Sequence, residues 1–276
     1  MTITCMRVGD PPSADSGPVP GRTFLGVSAF LFAASAATTI AWCASMSSMS
    51  EVPMPGGGSI SMTWLPLCGG TWLDTGASFI GMWTLMMVAM MLPSLVPTLG
   101  RYRSAVSPAG RMSLDGLTAI VATAYFGVWI LFGAGAFALG AALVLLQLQM
   151  PALAQAAPLA AGLIVVVAGV AQCTAWKARH LACCRGMPNR GAPLAADART
   201  AWRHGLQLGR HCVPCCAGLT AVLLILGVMD LAAMAVISLA IWIERLVPAG
   251  ERAVQVIGVG VVATGLFLVG RAIGLG

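Results

Sequence analysis

FIGMWTLMMVAMMLPSLVPTL, from Phe79 to Leu99, contains no charged residue and is long enough to cross a bilayer as one helix. Crossing the hydrocarbon takes about 20 predominantly apolar residues, because each backbone amide must be satisfied within the segment. Comparable runs occur at Phe24 to Trp42, Leu117 to Leu146, Ala157 to Trp176, Val213 to Met229, Leu231 to Ile243 and Val254 to Gly270. The reading is an all-α, polytopic transmembrane helical bundle of about seven spans. The fifth and sixth are short and meet at Asp230, so a bent re-entrant pair is the alternative for them. Composition agrees: with 58% hydrophobic and 9% charged residues, a chain of 276 residues lacks the polar surface of a soluble protein.

Short loops rich in Lys and Arg stay in the cytoplasm. With the N-terminus inside, every Lys and Arg falls on the cytoplasmic side except Arg271, which puts the C-terminus outside. Merging the fifth and sixth spans would move Arg245 and Arg252 outward, so the charge rule favours seven. The net charge of +6 then serves anchoring and orientation, not nucleic-acid binding. Residues 1–21, with Pro11, Pro12, Pro18 and Pro20 among small polar residues, read as a disordered cytoplasmic N-terminus. Residues 22–276 read as a single transmembrane domain with a Cys/His-rich cytoplasmic loop at 177–212. The run after Arg22 is long for a secretory signal, and Trp42 before Cys43 is a poor lipoprotein cleavage site, so the first helix is expected to remain.

Methionine is concentrated within the quoted stretch. Met82, Met86 and Met90 form one i, i+4 row, with Met87 and Met91 beside it. More methionines (Met46, Met49, Met54, Met62) lie in the preceding outer loop, and Met229 and Met234 flank Asp230. Neutral thioethers favour Cu(I) over hard divalent ions, although a methionine stripe is also an ordinary way to fill a core. Asp230 lacks an evident cation and reads as a cation-entrance or proton site, whereas Glu244, with Arg245 next to it and Arg252 soon after, reads as half of a local ion pair at the interface.

Six of the nine cysteines and all three histidines lie between Cys173 and Cys216. Cys212, Cys215 and Cys216 are spaced i, i+3 and i+4 and share one helix face. Pro214 fits a first helical turn, which would put Cys212 near the N-cap, where the helix terminus and Arg210 favour thiolate. His180, Cys183, Cys184 and His211 stand on the same side of the membrane. Four converging N or S donors would suit Zn(II), whereas two or three thiolates satisfy Cu(I). Cys5 and Cys173 read as small buried hydrophobes. Cys43 and Cys68 lie outside, where disulfides form, and only distance decides whether they pair.

The chain resembles a bacterial family of predicted metal-binding integral membrane proteins, a domain of unknown function, over roughly Gly81 to Gly270. The resemblance rests on Met82-Trp83 through Met90-Met91-Leu92-Pro93-Ser94, Gln172, Lys177, Cys184-Arg185, Cys212-x-x-Cys215-Cys216, Gly227-Val228-Met229, Met234 and Glu244-Arg245 with Pro248 and Gly250. It departs at His180 for cysteine, Pro214 for glycine, Asp230 for asparagine and Arg245 for lysine. The resemblance implies a multi-pass protein of the bacterial inner membrane that binds metal.

The leading functional expectation is binding, and translocation or hand-over, of a soft metal ion. Cu(I) is preferred and Zn(II) is the second choice. The donors are Cys212, Cys215, Cys216, His180, Cys184, Cys183 and His211 on the inner side, and Met82, Met86, Met90, Met229, Met234 and Asp230 toward the outer. A metal chaperone or a membrane-complex subunit is the expected partner beside the lipid bilayer. Two alternatives differ in class: a membrane thiol-disulfide oxidoreductase, and an accessory or assembly subunit packed through small residues such as Ala136 and Gly140. No phosphate-cradling Gly-rich loop is visible, so any pumping needs a gradient or a partner, and a non-enzymatic role is favoured over an enzymatic one.

Overall fold

The computed structural model describes residues 21–46, 52–53, 59–60, 64, 71–106, 112–186, 194–247 and 250–274. Among these are eight helices: α1 (Arg22–Met46), α2 (Trp72–Ala105), α3 (Leu114–Gln149), α4 (Pro151–Gln172), α5 (Ala175–Gly186), α6 (Ala198–Leu226), α7 (Leu231–Leu246) and α8 (Gly250–Ala272). A two-residue antiparallel pair, β1 (Val52–Pro53) and β2 (Ser59–Ile60), lies between α1 and α2. The N-terminus up to residue 20, Cys5, Cys68, Met49, Met54 and Met62 lie outside the described residues, while Cys43, whose pairing with Cys68 the sequence left open, carries a free thiol.

The expected helical bundle is what forms. Six helices (α1, α2, α3, α4, α6 and α8) are long and apolar enough to cross a membrane. At 1.5 Å per residue, the 16 residues of α7 reach about 24 Å, short of a hydrocarbon thickness of about 30 Å. Phe30, Leu131, Val167 and Val256 are each about two-thirds exposed or more on the outside of the bundle, an apolar surface of the kind that meets a membrane or another protein.

The fifth expected span is corrected. It is long, beginning at Ala198 rather than Val213, and the expected 177–212 loop contains α5 and the first half of α6. Asp197 caps α6 by accepting from the Thr200 amide at 2.9 Å. Ala201, His204, Gly205, Leu208, Gly209, Cys212, Cys215 and Cys216 are buried at three- and four-residue intervals, while Arg199, Arg203 and Arg210 are not. A helix this amphipathic averages to a polar loop when hydropathy is read without its period. Pro214 is accordingly inside the helix, not in its first turn, and Cys212 is far from the N-cap.

Contacts fix which helix ends lie together. At one end, Arg103 near the C-terminus of α2 pairs with Asp115 at the start of α3 at 2.6 Å and lies over Phe24 of α1. Tyr102 stacks on His204 of α6, and the Leu194 amide donates to the Ala105 carbonyl. At the opposite end, Cys43 near the C-terminus of α1 meets Met229 just after α6, and Phe79 of α2 packs on Phe137 of α3. Arg22, Arg101, Arg103, Arg199 and Arg203 thus collect at the first end.

Close approach of helices rests on glycines. A Cβ at Gly169 of α4 would lie 2.6 Å from the Val262 amide of α8, and one at Gly265 of α8 would lie 2.6 Å from the Val166 amide of α4. Gly162 and Gly258 continue this seam, which runs α4 and α8 antiparallel. On α6, Gly205 and Gly209 take the same part against Val121, Tyr125 and Val128 of α3. The expected pair Ala136 and Gly140 is not such a seam: a Cβ at Gly140 would meet the Trp64 ring.

Candidate metal centre

Burial brings the cysteines of α6 inward. Cys212, Cys215 and Cys216 are buried on the inner face of α6, and their thiols are free, as is that of buried Cys184 on α5. Cys212 Sγ lies 3.9 Å from Cys216 Sγ, Cys215 is in hydrogen-bonding contact with both Cys216 and Cys184, and Cys184 Sγ donates to the His211 carbonyl at 3.2 Å. The order of contact is therefore Cys184, Cys215, Cys216, Cys212. Among the described residues, no group of three or more Cys, His, Asp or Glu forms a ready-made metal cage.

Three other helices frame this row. Tyr125 of α3 places its hydroxyl 3.0 Å from Cys212 Sγ. Arg245, at the end of α7, donates to Cys212 Sγ at 3.3 Å and to the Ser94 hydroxyl of α2 at 3.0 Å. One helix turn from Ser94, the Met90 carbonyl accepts from the Trp242 indole at 2.6 Å. Met82, Met86, Met87, Met90 and Met91 are all buried, so the thioether stripe faces the interior from the level of the thiols toward the opposite end.

A second polar layer lies against the cysteines. Lys177 pairs with Glu244 at 2.8 Å, both almost completely buried, and Gln172 donates to the other Glu244 oxygen at 2.7 Å. Lys177 Nζ also donates to the Cys215 carbonyl. This ties α4, α5, α6 and α7 together and corrects the expected local ion pair of Glu244, since adjacent helical residues do not face each other. Glu244 points to α4 and α5 while Arg245 points to α2 and α6.

The remaining expected donors are dispersed. Half-buried His180 packs at a tilt on Trp176, ring centroids 4.2 Å apart and planes at 37°, with Nδ1 2.9 Å from the Trp176 carbonyl. His211 contributes its carbonyl to Cys184, and its ring is half-buried. Cys183 is disulfide-bonded, so it offers no free thiolate. Asp230 is exposed and caps α7, accepting from the Ala232 and Ala233 amides at 2.8 and 3.1 Å, which accounts for it without a cation. Met234 is buried, and Met229 adjoins Cys43. Cys173, expected to be buried, is exposed.

Tyr125, Ser94, Gln172 and Lys177 were absent from the expected site. Lys177 carries a readable signal, being the only lysine in the chain and set among apolar helix-forming residues. His204 also escaped notice; it is buried against Tyr102, and neither the Tyr102 hydroxyl nor His204 Nε2 has a hydrogen-bond partner among the described residues.

Fold and centre together define a helical bundle with membrane-length spans around a buried row of thiols braced by one guanidinium. The chain belongs to the PpoB2 copper chaperone family, whose model matches residues 80–268. That match takes in α3 to α7 whole, α2 from residue 80 onward and α8 up to residue 268, hence every residue of the centre. No curated protein and no solved structure matches the chain.

Proposed function

We propose that the chain is a multi-pass membrane carrier of Cu(I), holding the ion as cargo on Cys212 and Cys216 with Cys215 and Cys184 adjacent, and handing it to a partner protein. The observation that carries this reading is the 3.9 Å separation of the Cys212 and Cys216 sulfurs. Metal–sulfur bonds of about 2.3 Å put two sulfurs on a shared ion about 3.8 Å apart at a tetrahedral angle, about 4.0 Å at a trigonal one and about 4.6 Å at a linear one, so this pair suits a near-trigonal ion with Cys215 as the adjacent third donor. Thiolate donors select Cu(I), whereas structural Zn(II) calls for four donors around one point.

Charge fits the same cargo. Two thiols that bind Cu(I) release two protons, leaving a bis-thiolate complex of net charge −1. An uncompensated charge at membrane depth is costly. Arg245 supplies the offsetting charge at Cys212, and the Tyr125 hydroxyl supplies a further hydrogen bond to the same sulfur. The Lys177 and Glu244 pair is neutral as a unit and serves to hold α5 and α7 against the Cys215 turn.

The adjoining row Met90, Met86 and Met82 gives weaker, neutral donors leading away from the thiols, which suits hand-over rather than storage. In this reading the charged end of the bundle faces the cytoplasm of a bacterial inner membrane. The test is copper content of detergent-purified protein prepared anaerobically under reducing conditions. The wild type retains Cu(I), and Cys212→Ser with Cys216→Ser removes the ion held by that pair; copper binding unaltered by the double change would reject the assignment.

A further inference from the structure

The centre described above leaves unused a second sulfur pair at the other end of the bundle. Cys43, in the last turn of α1, is only 3% exposed and its thiol is free. Its Sγ lies 4.0 Å from Sδ of Met229, 186 positions further along the chain. The separation matches two sulfurs at a trigonal angle on one ion given bonds of about 2.3 Å.

Met229 is held on both sides. Gly227 has φ 125° and ψ 120°, backbone that a residue with a Cβ adopts only under strain, and its amide donates to the Leu223 carbonyl to end α6. Asp230 starts α7 three residues later by capping the Ala232 and Ala233 amides, and its own amide donates to the Gly227 carbonyl. The thioether is thus carried on a short, doubly anchored turn against the end of α1.

We infer that Cys43 and Met229 form a second Cu(I) site, with one thiolate and one thioether donor, at the opposite end of the bundle from Cys212. The inference rests on the chain being a Cu(I) carrier and adds a site to it. Binding displaces one proton from the Cys43 thiol, so thiolate and Cu(I) sum to zero charge and the site needs no cation of its own. That contrasts with the bis-thiolate at Cys212, which needs Arg245. A neutral, two-donor site near a bundle end suits loading or release, and the buried Met82, Met86 and Met90 lie between the two levels.

The test titrates the full-length, detergent-purified, reduced protein with Cu(I) against a chromogenic Cu(I) chelator. Two equivalents are expected in the wild type. Cys43→Ser and Met229→Leu each lose one and keep the other, whereas Cys212→Ser with Cys216→Ser shows the reverse loss. Met229→Leu preserves apolar volume, Met229→Cys is expected to restore the second equivalent, and thermal unfolding checks that each variant is folded. One wild-type equivalent that depends on Cys212 and Cys216 but not on Cys43 or Met229 overturns this inference and leaves the first centre standing. No bound equivalent in the wild type defeats the carrier reading itself.

Discussion

Arg245 brings a guanidinium to within 3.3 Å of the Cys212 sulfur, so its loss strikes at the charge balance of the loaded site. A hydrogen bond to a charged group contributes about 1.5–3 kcal/mol, and Arg245→Leu is therefore expected to weaken Cu(I) binding by about 10- to 100-fold in a chelator competition. An affinity equal to that of the wild type would remove Arg245 from the mechanism. Lys177 and Glu244 make a different prediction. Glu244→Gln strands a buried ammonium and is expected to cost about 3–5 kcal/mol, while Lys177→Met combined with Glu244→Leu recovers most of that loss. Thermal unfolding of the single and double variants checks it, and strict additivity would contradict a direct pair. At this scale the shared face of Cys212, Cys215 and Cys216 was legible from spacing alone. Tyr125 was not, and Ser94 and Lys177 stood out only as residues of the resemblance, not as site residues, because their contacts join residues distant in sequence and no local period reports such a meeting.

Helix α6 shows what an average conceals. Its first half carries Arg199, Arg203 and Arg210 on one side and a buried line from Ala201 to Cys212 on the other, so it read as a loop when only its polarity was weighed. The glycines that seat it were equally silent until the facing helix was known. Gly169 and Gly265 give the clearest test, because the atoms a Cβ would strike are backbone and cannot rotate away. Gly169→Ala is expected to destabilise the α4 and α8 pair by about 1–3 kcal/mol. Gly81→Ala, with nothing within 4 Å, is expected to be neutral or slightly stabilising through helix propensity. Equal melting temperatures for the two variants in detergent would refute the close seam. Gly227→Ala is expected to cost about 1–3 kcal/mol from backbone strain at φ 125°.

Across the whole molecule, apolar run lengths were enough to give the bundle and nearly all of its helices, since membrane thickness imposes a length that sequence displays directly. The exception is α5, which has no apolar run and was read as loop, while α7, expected as a short span, is a helix of 16 residues that runs from the Met229 end back to the level of Cys212. With α7 as a pass, α1 begins and α8 ends at opposite ends of the bundle. A C-terminal alkaline phosphatase fusion is then expected to be active and a C-terminal fluorescent-protein fusion dark; the opposite pattern would invert the orientation. The central claim, that buried thiols rather than histidines hold the cargo, is tested most directly by copper K-edge X-ray absorption of anaerobically loaded protein. The account predicts Cu(I) surrounded by two or three sulfurs at about 2.3 Å, with about half of the sulfur-bound copper lost in Cys212→Ser with Cys216→Ser. A first shell of nitrogen or oxygen, unchanged in that variant, would contradict it.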